Sequence, residues 1–163
     1  MASTTALTFR TTVAAADVER IRAIVIAAAN FSAEEIDIAA ELVTERLARG
    51  ATSGYFFILA ERAGTLTGYA CYGPIAGTYA RFDVYWVAVA PAAQRGGLGR
   101  ELLVRTEAAI RAAGGERIYI DTSTSPGYDA ARGFYRRMGY GVAAELPDFY
   151  QAGDGKVIFM KAL

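Results

Sequence analysis

The feature that most constrains this chain is one junction. The apolar run Val87-Ala88-Val89-Ala90-Pro91 leads directly into Gln94-Arg95-Gly96-Gly97-Leu98-Gly99. A β-run stopped by proline is thus followed by a glycine-rich turn that opens a helical pattern. The strand is expected over Asp83 to Val89, with Asp83, Tyr85, Val87 and Val89 on one face. The helix is expected from Gly97 to Ala113, with Leu98, Leu102, Ala109 and Ala113 inward and Gly114-Gly115 as its stop. Glu116 to Thr122 reads as the next strand. Strand, helix and strand in this order form a crossover, which places this stretch in an α/β sheet.

The same turn carries chemistry. Backbone N–H groups at a helix start lack intrahelical acceptors and bind anions with help from the helix dipole. Glycines let a phosphate approach the backbone because no Cβ intervenes. Arg95 and Arg100 add positive charge. The residues are not those of a Walker loop, which ends in Gly-Lys-Ser/Thr, nor of a dinucleotide fingerprint. A glycine-rich turn alone is also compatible with a simple tight turn.

The flanking sequence supplies the other elements. Leu7 to Arg10 reads as a strand and Ala14 to Ala29 as a helix. Ser32-Ala33-Glu34-Glu35 is a capping box that opens a second helix, closed by Gly50. Tyr55 to Glu61 and Leu66 to Tyr72 form a hairpin around Arg62-Ala63-Gly64-Thr65. Gly73 to Phe82 and Pro147 to Lys156 read as loops. Tyr128 to Met138 is a fourth helix, with Phe134 and Met138 as its core stripe. Tyr140 to Leu146 and Val157 to Ala162 are the last strands. Residues 1–163 are expected to form one domain, with helices on both faces of a single mixed sheet.

Composition narrows the function. Of 163 residues none is histidine and one, Cys71, is cysteine, so Cys/His zinc sites, intramolecular disulfides and His-dependent triads are excluded. No metal is expected. Lys+Arg and Asp+Glu both number 17, so no basic field draws the chain to nucleic acid or a membrane. The segment Met1 to Val13 lacks the order of a signal peptide, and cytoplasmic residence is expected. Cys71 reads as a buried, inert thiol.

Two segments together carry a family resemblance. Gln94-x-x-Gly97-x-Gly99 after Val87-x-Val89-x-Pro91 resembles the acetyl-CoA loop of the GNAT acetyltransferases. Ala131-Arg132-Gly133-Phe134-Tyr135 with Gly139-Tyr140 resembles their Ala-x-x-x-Tyr-x-x-x-Gly-Phe segment. The resemblance implies the GNAT fold: about seven mostly antiparallel strands, four helices and a splayed central strand pair. It also implies an acetyl-CoA-dependent N-acetyltransferase whose acceptor amine attacks the thioester directly.

By the same resemblance, the backbone of Val87, Ala88 and Val89 holds the pantetheine arm. The N–H groups of Gln94, Arg95, Gly96, Gly97, Leu98, Gly99 and Arg100 hold the pyrophosphate. Tyr135 contacts the cofactor and protonates the leaving thiolate. Asp83, eleven residues before Gln94, is the candidate base, with Asp121 as second candidate. The family often has an asparagine where this chain has Tyr128, and Ser123, Thr124 or Ser125 could replace that contact. Tyr85, Trp86, Phe149 and Tyr150 are expected to line the acceptor side, with the loop of Pro147–Lys156 as part of a lid. The expected acceptor is a small primary amine, and the expected assembly a homodimer. The alternatives are a protein or peptide N-acetyltransferase and a non-catalytic acyl-CoA sensor.

Overall fold

The computed structural model describes residues 6–163, so part of the leader reading over Met1 to Val13 lies outside the described residues. Among the described residues there are seven strands and four α-helices. They are β1 (Leu7–Arg10), α1 (Asp17–Ala27), α2 (Ala33–Arg49), β2 (Phe56–Arg62), β3 (Thr65–Pro74), β4 (Arg81–Val89), α3 (Leu98–Ala112), β5 (Arg117–Ser123), α4 (Asp129–Arg137), β6 (Gly141–Gln151) and β7 (Asp154–Ala162). The strand order in the sheet is β1-β2-β3-β4-β5-β7-β6. Pairing is antiparallel for β1/β2, β2/β3, β5/β7 and β6/β7, and parallel for β4/β5. Among the described residues, no helix is long and apolar enough to cross a membrane.

The chain divides into two compact units. One holds residues up to Gly73 with Trp86–Thr106, the other Pro74–Tyr85 with Glu107–Leu163. In the first, Ile21, Val25, Ala39 and Val43 of α1 and α2 join Phe57, Leu59, Tyr69 and Cys71 in one buried cluster. The Cβ that Gly68 lacks would lie 3.1–3.2 Å from Leu102 and Leu98, so α3 packs against the opposite face of β3 at that point. Helices therefore cover both faces there, as expected. Ser32 caps α2 with the full capping box, its hydroxyl accepting from the Glu35 N–H and the Glu35 carboxylate from the Ser32 N–H. Ala63 and Gly64 both take positive φ, 52° and 73°, the mirror-image turn that suits a twisted hairpin.

In the second unit β5 stays paired with β7 from Arg117 to Ser123. The parallel pairs of β4 with β5 run only from Arg81↔Arg117 to Asp83↔Tyr119.

Three expectations need correction here. The expected loop Gly73–Phe82 is shorter, because the Ile75 N–H donates to the Arg81 carbonyl at 2.9 Å and extends the ladder. The expected loop Pro147–Lys156 is a strand hairpin instead, with β6 running to Gln151 and β7 starting at Asp154. A register shift between Leu146 and Gln151 absorbs Pro147, whose missing N–H is tolerated in an irregular edge strand. Gly153 turns at φ 80° and donates its N–H to the Asp148 carboxylate at 2.7 Å. Finally, Ala109 and Ala113 do not complete the α3 stripe. Leu103, Thr106, Glu107 and Ile110 are buried with Leu98 and Leu102 instead.

Candidate active site

The loop Gln94–Gly99 lies in the first unit. β4 ends at Val89, and the Ala90 N–H donates to the Thr67 carbonyl at 2.8 Å, fixing the strand exit. A short 3₁₀ turn, Pro91–Ala93, follows. The Gln94 side-chain amide then reaches back to the Val89 carbonyl at 3.3 Å. Arg95 and Gly97 both take positive φ, 68° and 78°. For arginine that conformation costs about 1 kcal/mol or more. A Cβ on Gly97 would meet nothing within 4 Å, and on Gly96 only the Ala93 carbonyl at 3.9 Å. The glycines therefore serve backbone conformation and leave open space over the turn. The Glu101 N–H returns to the Gly97 carbonyl at 3.0 Å, so Gly97 opens α3 and the N–H groups of Leu98, Gly99 and Arg100 precede the first intrahelical donor. Leu98 is buried and anchors this end of the helix.

Trp86 packs on Phe31, ring centroids 4.8 Å apart, between α1 and α2 of the same unit. A separate cavity of about 450 Å³ in the same unit is lined by Thr11, Thr12, Arg46, Phe56 and Tyr72 among others. None of the site residues expected from sequence lines it.

The acid–base candidates lie in the second unit. Asp83 and Asp121 line one cavity of about 300 Å³ with Tyr119, Ile75 and Ile158. Register explains this: Asp83 stands opposite Tyr119, and Asp121 is two residues further along the same face of β5. Burial first, then the nearby Asp121 charge, pushes the Asp83 carboxyl up to about 6, while Lys156 pulls the other way. Asp121 is ion-paired with Lys156 at 2.9 Å. The Lys156 ammonium lies 4.1 Å from the Phe149 ring centroid and 5.9 Å from that of Tyr150. Phe149 and Tyr150 touch edge to face at 5.0 Å and are half-exposed. They are strand residues of the hairpin rather than part of a loop lid. Tyr85, on β4, is partly exposed.

Tyr135 is the buried residue of α4, while Phe134 and Met138 are only partly buried. This reverses the expected stripe. Its ring meets Phe134, Phe159 and Tyr140 at 5.5, 5.7 and 6.1 Å. Burial pushes its phenol up to about 12, so it stays protonated near neutral pH and keeps a proton to donate. Tyr140 is held in turn by Glu107, a buried carboxylate of α3 that the sequence pattern did not single out. The Tyr140 hydroxyl donates to it at 2.9 Å and the Lys161 ammonium at 3.0 Å. Lys161 also donates to the Met138 carbonyl at 2.9 Å and so ties down the end of α4.

Tyr128 precedes α4, its N–H donating to the Ser125 carbonyl at 3.1 Å. The Ser123 hydroxyl meets the Asp154 carboxylate and the Ser125 hydroxyl, and Arg132 donates to the carbonyls of Ser123 and Ser125. Those serines are thus engaged in shaping the connection from β5 to α4. Cys71 is fully buried and its thiol is pushed up by burial, as expected of an inert thiol. Among the described residues, no group of three or more acidic or Cys side chains could hold a metal.

The model of the Acetyltransferase (GNAT) family matches residues 20–140. Among solved structures, a protein of Desulfovibrio desulfuricans assigned to the GNAT acetyltransferases is 41% identical, with 96% of this chain and 99% of that one covered and a TM-score of 0.95. The yncA protein of Salmonella typhimurium, an assigned acetyltransferase solved with its cofactor acetyl-CoA, is 25% identical (97% and 94% covered, TM-score 0.76). The ribosomal-protein-S18-alanine N-acetyltransferase of Escherichia coli shares the fold at 19% identity (96% and 94% covered, TM-score 0.75). No curated protein matches the sequence.

Proposed function

The chain belongs to the GNAT acetyltransferase family, enzymes that transfer an acetyl group from acetyl-CoA, and we propose that its acceptor is the primary amine of a small molecule. The observation that carries this reading is the cavity shared by Asp83 and Asp121. Its volume, about 300 Å³, lies at the small end of ligand pockets. Its two carboxylates suit a cationic amine better than a neutral one.

The residues fit acetyl-CoA as donor. The positive φ of Arg95 and Gly97 and the open space over Gly97 suit a pyrophosphate held by backbone N–H groups from Gln94 to Arg100. The backbone of Val87, Ala88 and Val89 is proposed to hold the pantetheine arm, with Tyr128 as a further contact. Acetyl-CoA supplies an activated acyl group and a thiolate leaving group.

In the proposed mechanism Asp83 or Asp121 takes the proton from the acceptor ammonium, directly or through a water. The neutral amine then attacks the thioester carbonyl, a C–N bond forming as the C–S bond breaks, and Tyr135 gives its proton to the departing thiolate and regains one through water from the acylated nitrogen. Tyr85, Trp86, Phe149 and Tyr150 are the proposed acceptor contacts.

The test is thiol release from acetyl-CoA across a panel of small primary amines and short peptides. Turnover of small amines that exceeds turnover of peptides supports the proposal. The reverse order would move the acceptor to a protein N-terminus or lysine.

We also propose that residues 1–163 act as one catalytic domain, in the cytoplasm and as a homodimer. The dimer is consistent with the largely exposed edge strand β6, which carries Val142 and Leu146. Light scattering that gives a monomer mass at micromolar concentration would remove it.

A further inference from the structure

Two carboxylates in one cavity cannot both be ordinary ions at low cost, and something must separate their roles. Asp83 and Asp121 line theirs with Arg81, which Glu116 engages, while the cation paired with Asp121 is Lys156. Lys156 stands on β7 two residues before Ile158, the partner of Asp121, so its side chain rises from the same face. Its ammonium is 2.9 Å from the Asp121 carboxylate and 4.1 Å from the Phe149 ring centroid. The lysine side chain is 17% exposed and the Asp121 side chain 46% exposed. An ammonium held between a carboxylate and an aromatic face has little reason to leave.

We infer that Lys156 is a positioning residue that divides the labour of the pair: it holds the Asp121 carboxylate in an ion pair beneath the hairpin aromatics and leaves Asp83 to accept the acceptor's proton. This rests on the proposed base chemistry above and decides between its two candidates.

The surroundings of Asp83 agree. From its own strand it is faced by Arg81, whose guanidinium is engaged by Glu116 at 2.9 Å. From β5 it is faced by Asp121 and the Tyr119 phenol, and from β7 by Lys156. The connection before β4 offers Ile75 and Thr78, which carry no charge. Among the described residues Asp83 has no cation at ion-pair distance, and burial pushes its carboxyl up to about 6. Asp121 has one at 2.9 Å.

The experiment combines carboxyl-carbon NMR titration with the pH profile of kcat/KM for the parent, Lys156→Met and Lys156→Arg. Methionine keeps an apolar stem against Phe149, and unfolding curves report whether each variant folds. Expected in Lys156→Met is an upward move of the Asp83 carboxyl midpoint, by roughly one unit, with the acid limb of kcat/KM following it. Lys156→Arg restores both. An unmoved Asp83 resonance in folded Lys156→Met would overturn the inference, because a merely structural lysine changes only the melting temperature. A limb that stays while the Asp83 resonance moves would overturn the base assignment itself.

Discussion

The Gln94–Gly99 loop and the Asp83–Asp121 cavity are built from different materials. The loop is backbone: six consecutive residues, two positive φ angles and the first turn of α3. The cavity is side chain: Asp83, Asp121 and Lys156 come from β4, β5 and β7, which only the strand order makes neighbours. A backbone site should tolerate new side chains but not a new conformation. A side-chain site should tolerate shape changes but not a change of charge. The tests below press on that contrast.

The largest effect is expected from Gly97→Glu. A Cβ at φ 78° is strained and the carboxylate enters an anion site, so acetyl-CoA affinity should fall at least ~100-fold by calorimetry. Asp83→Asn comes next. It should lower kcat/KM by ~10²-fold or more while the acetyl-CoA Kd stays within twofold.

The same variant has a stability signature. Burial pushes the folded carboxyl up to about 6 from its ordinary 3.8, so the folded state prefers the protonated form. In the parent, stability therefore rises as pH falls from about 6 toward 3.8, and the full penalty persists above 6. Asp83→Asn should raise the melting temperature at pH 8 and lose that advantage near pH 4. Parent activity should likewise fall as pH drops through about 6. An acid limb well below that value would sink Asp83 as the base.

Tyr135→Phe keeps the packing on Tyr140 and Phe159, so kcat should drop ~10–100-fold with little change in Kd. A similar loss in both constants would mean the phenol is part of cofactor binding. The smallest effect is expected from Arg95→Gly. It relieves the φ of 68°, so the melting temperature should hold or rise, and acetyl-CoA affinity should fall less than ~5-fold. A larger loss would make the guanidinium, not the backbone, the main anion contact.

This contrast also governs what could be read in the sequence. The loop was legible because glycine spacing encodes backbone conformation locally. Ser32-x-x-Glu35 and Arg62–Thr65 were legible for the same reason. The hairpin at Pro147–Gly153 was misread because proline and glycine there signal a break, whereas a bulge in an edge strand absorbs them. The α4 stripe was misread because a nine-residue helix carries too few periods to rank Phe134 against Tyr135. Glu107 and Lys156 carry no local signal, since Glu107 meets Tyr140 and Lys161 33 and 54 positions away and Lys156 meets Asp121 on another strand.

The measurement that bears most directly on the central claim is calorimetric titration of parent and Gly97→Glu with acetyl-CoA, with unfolding curves for both. Micromolar binding by the parent, lost in a folded variant, is the expected result. Equal binding by both, or none by a folded parent, would contradict the placement of the acyl donor on the Gln94–Gly99 loop.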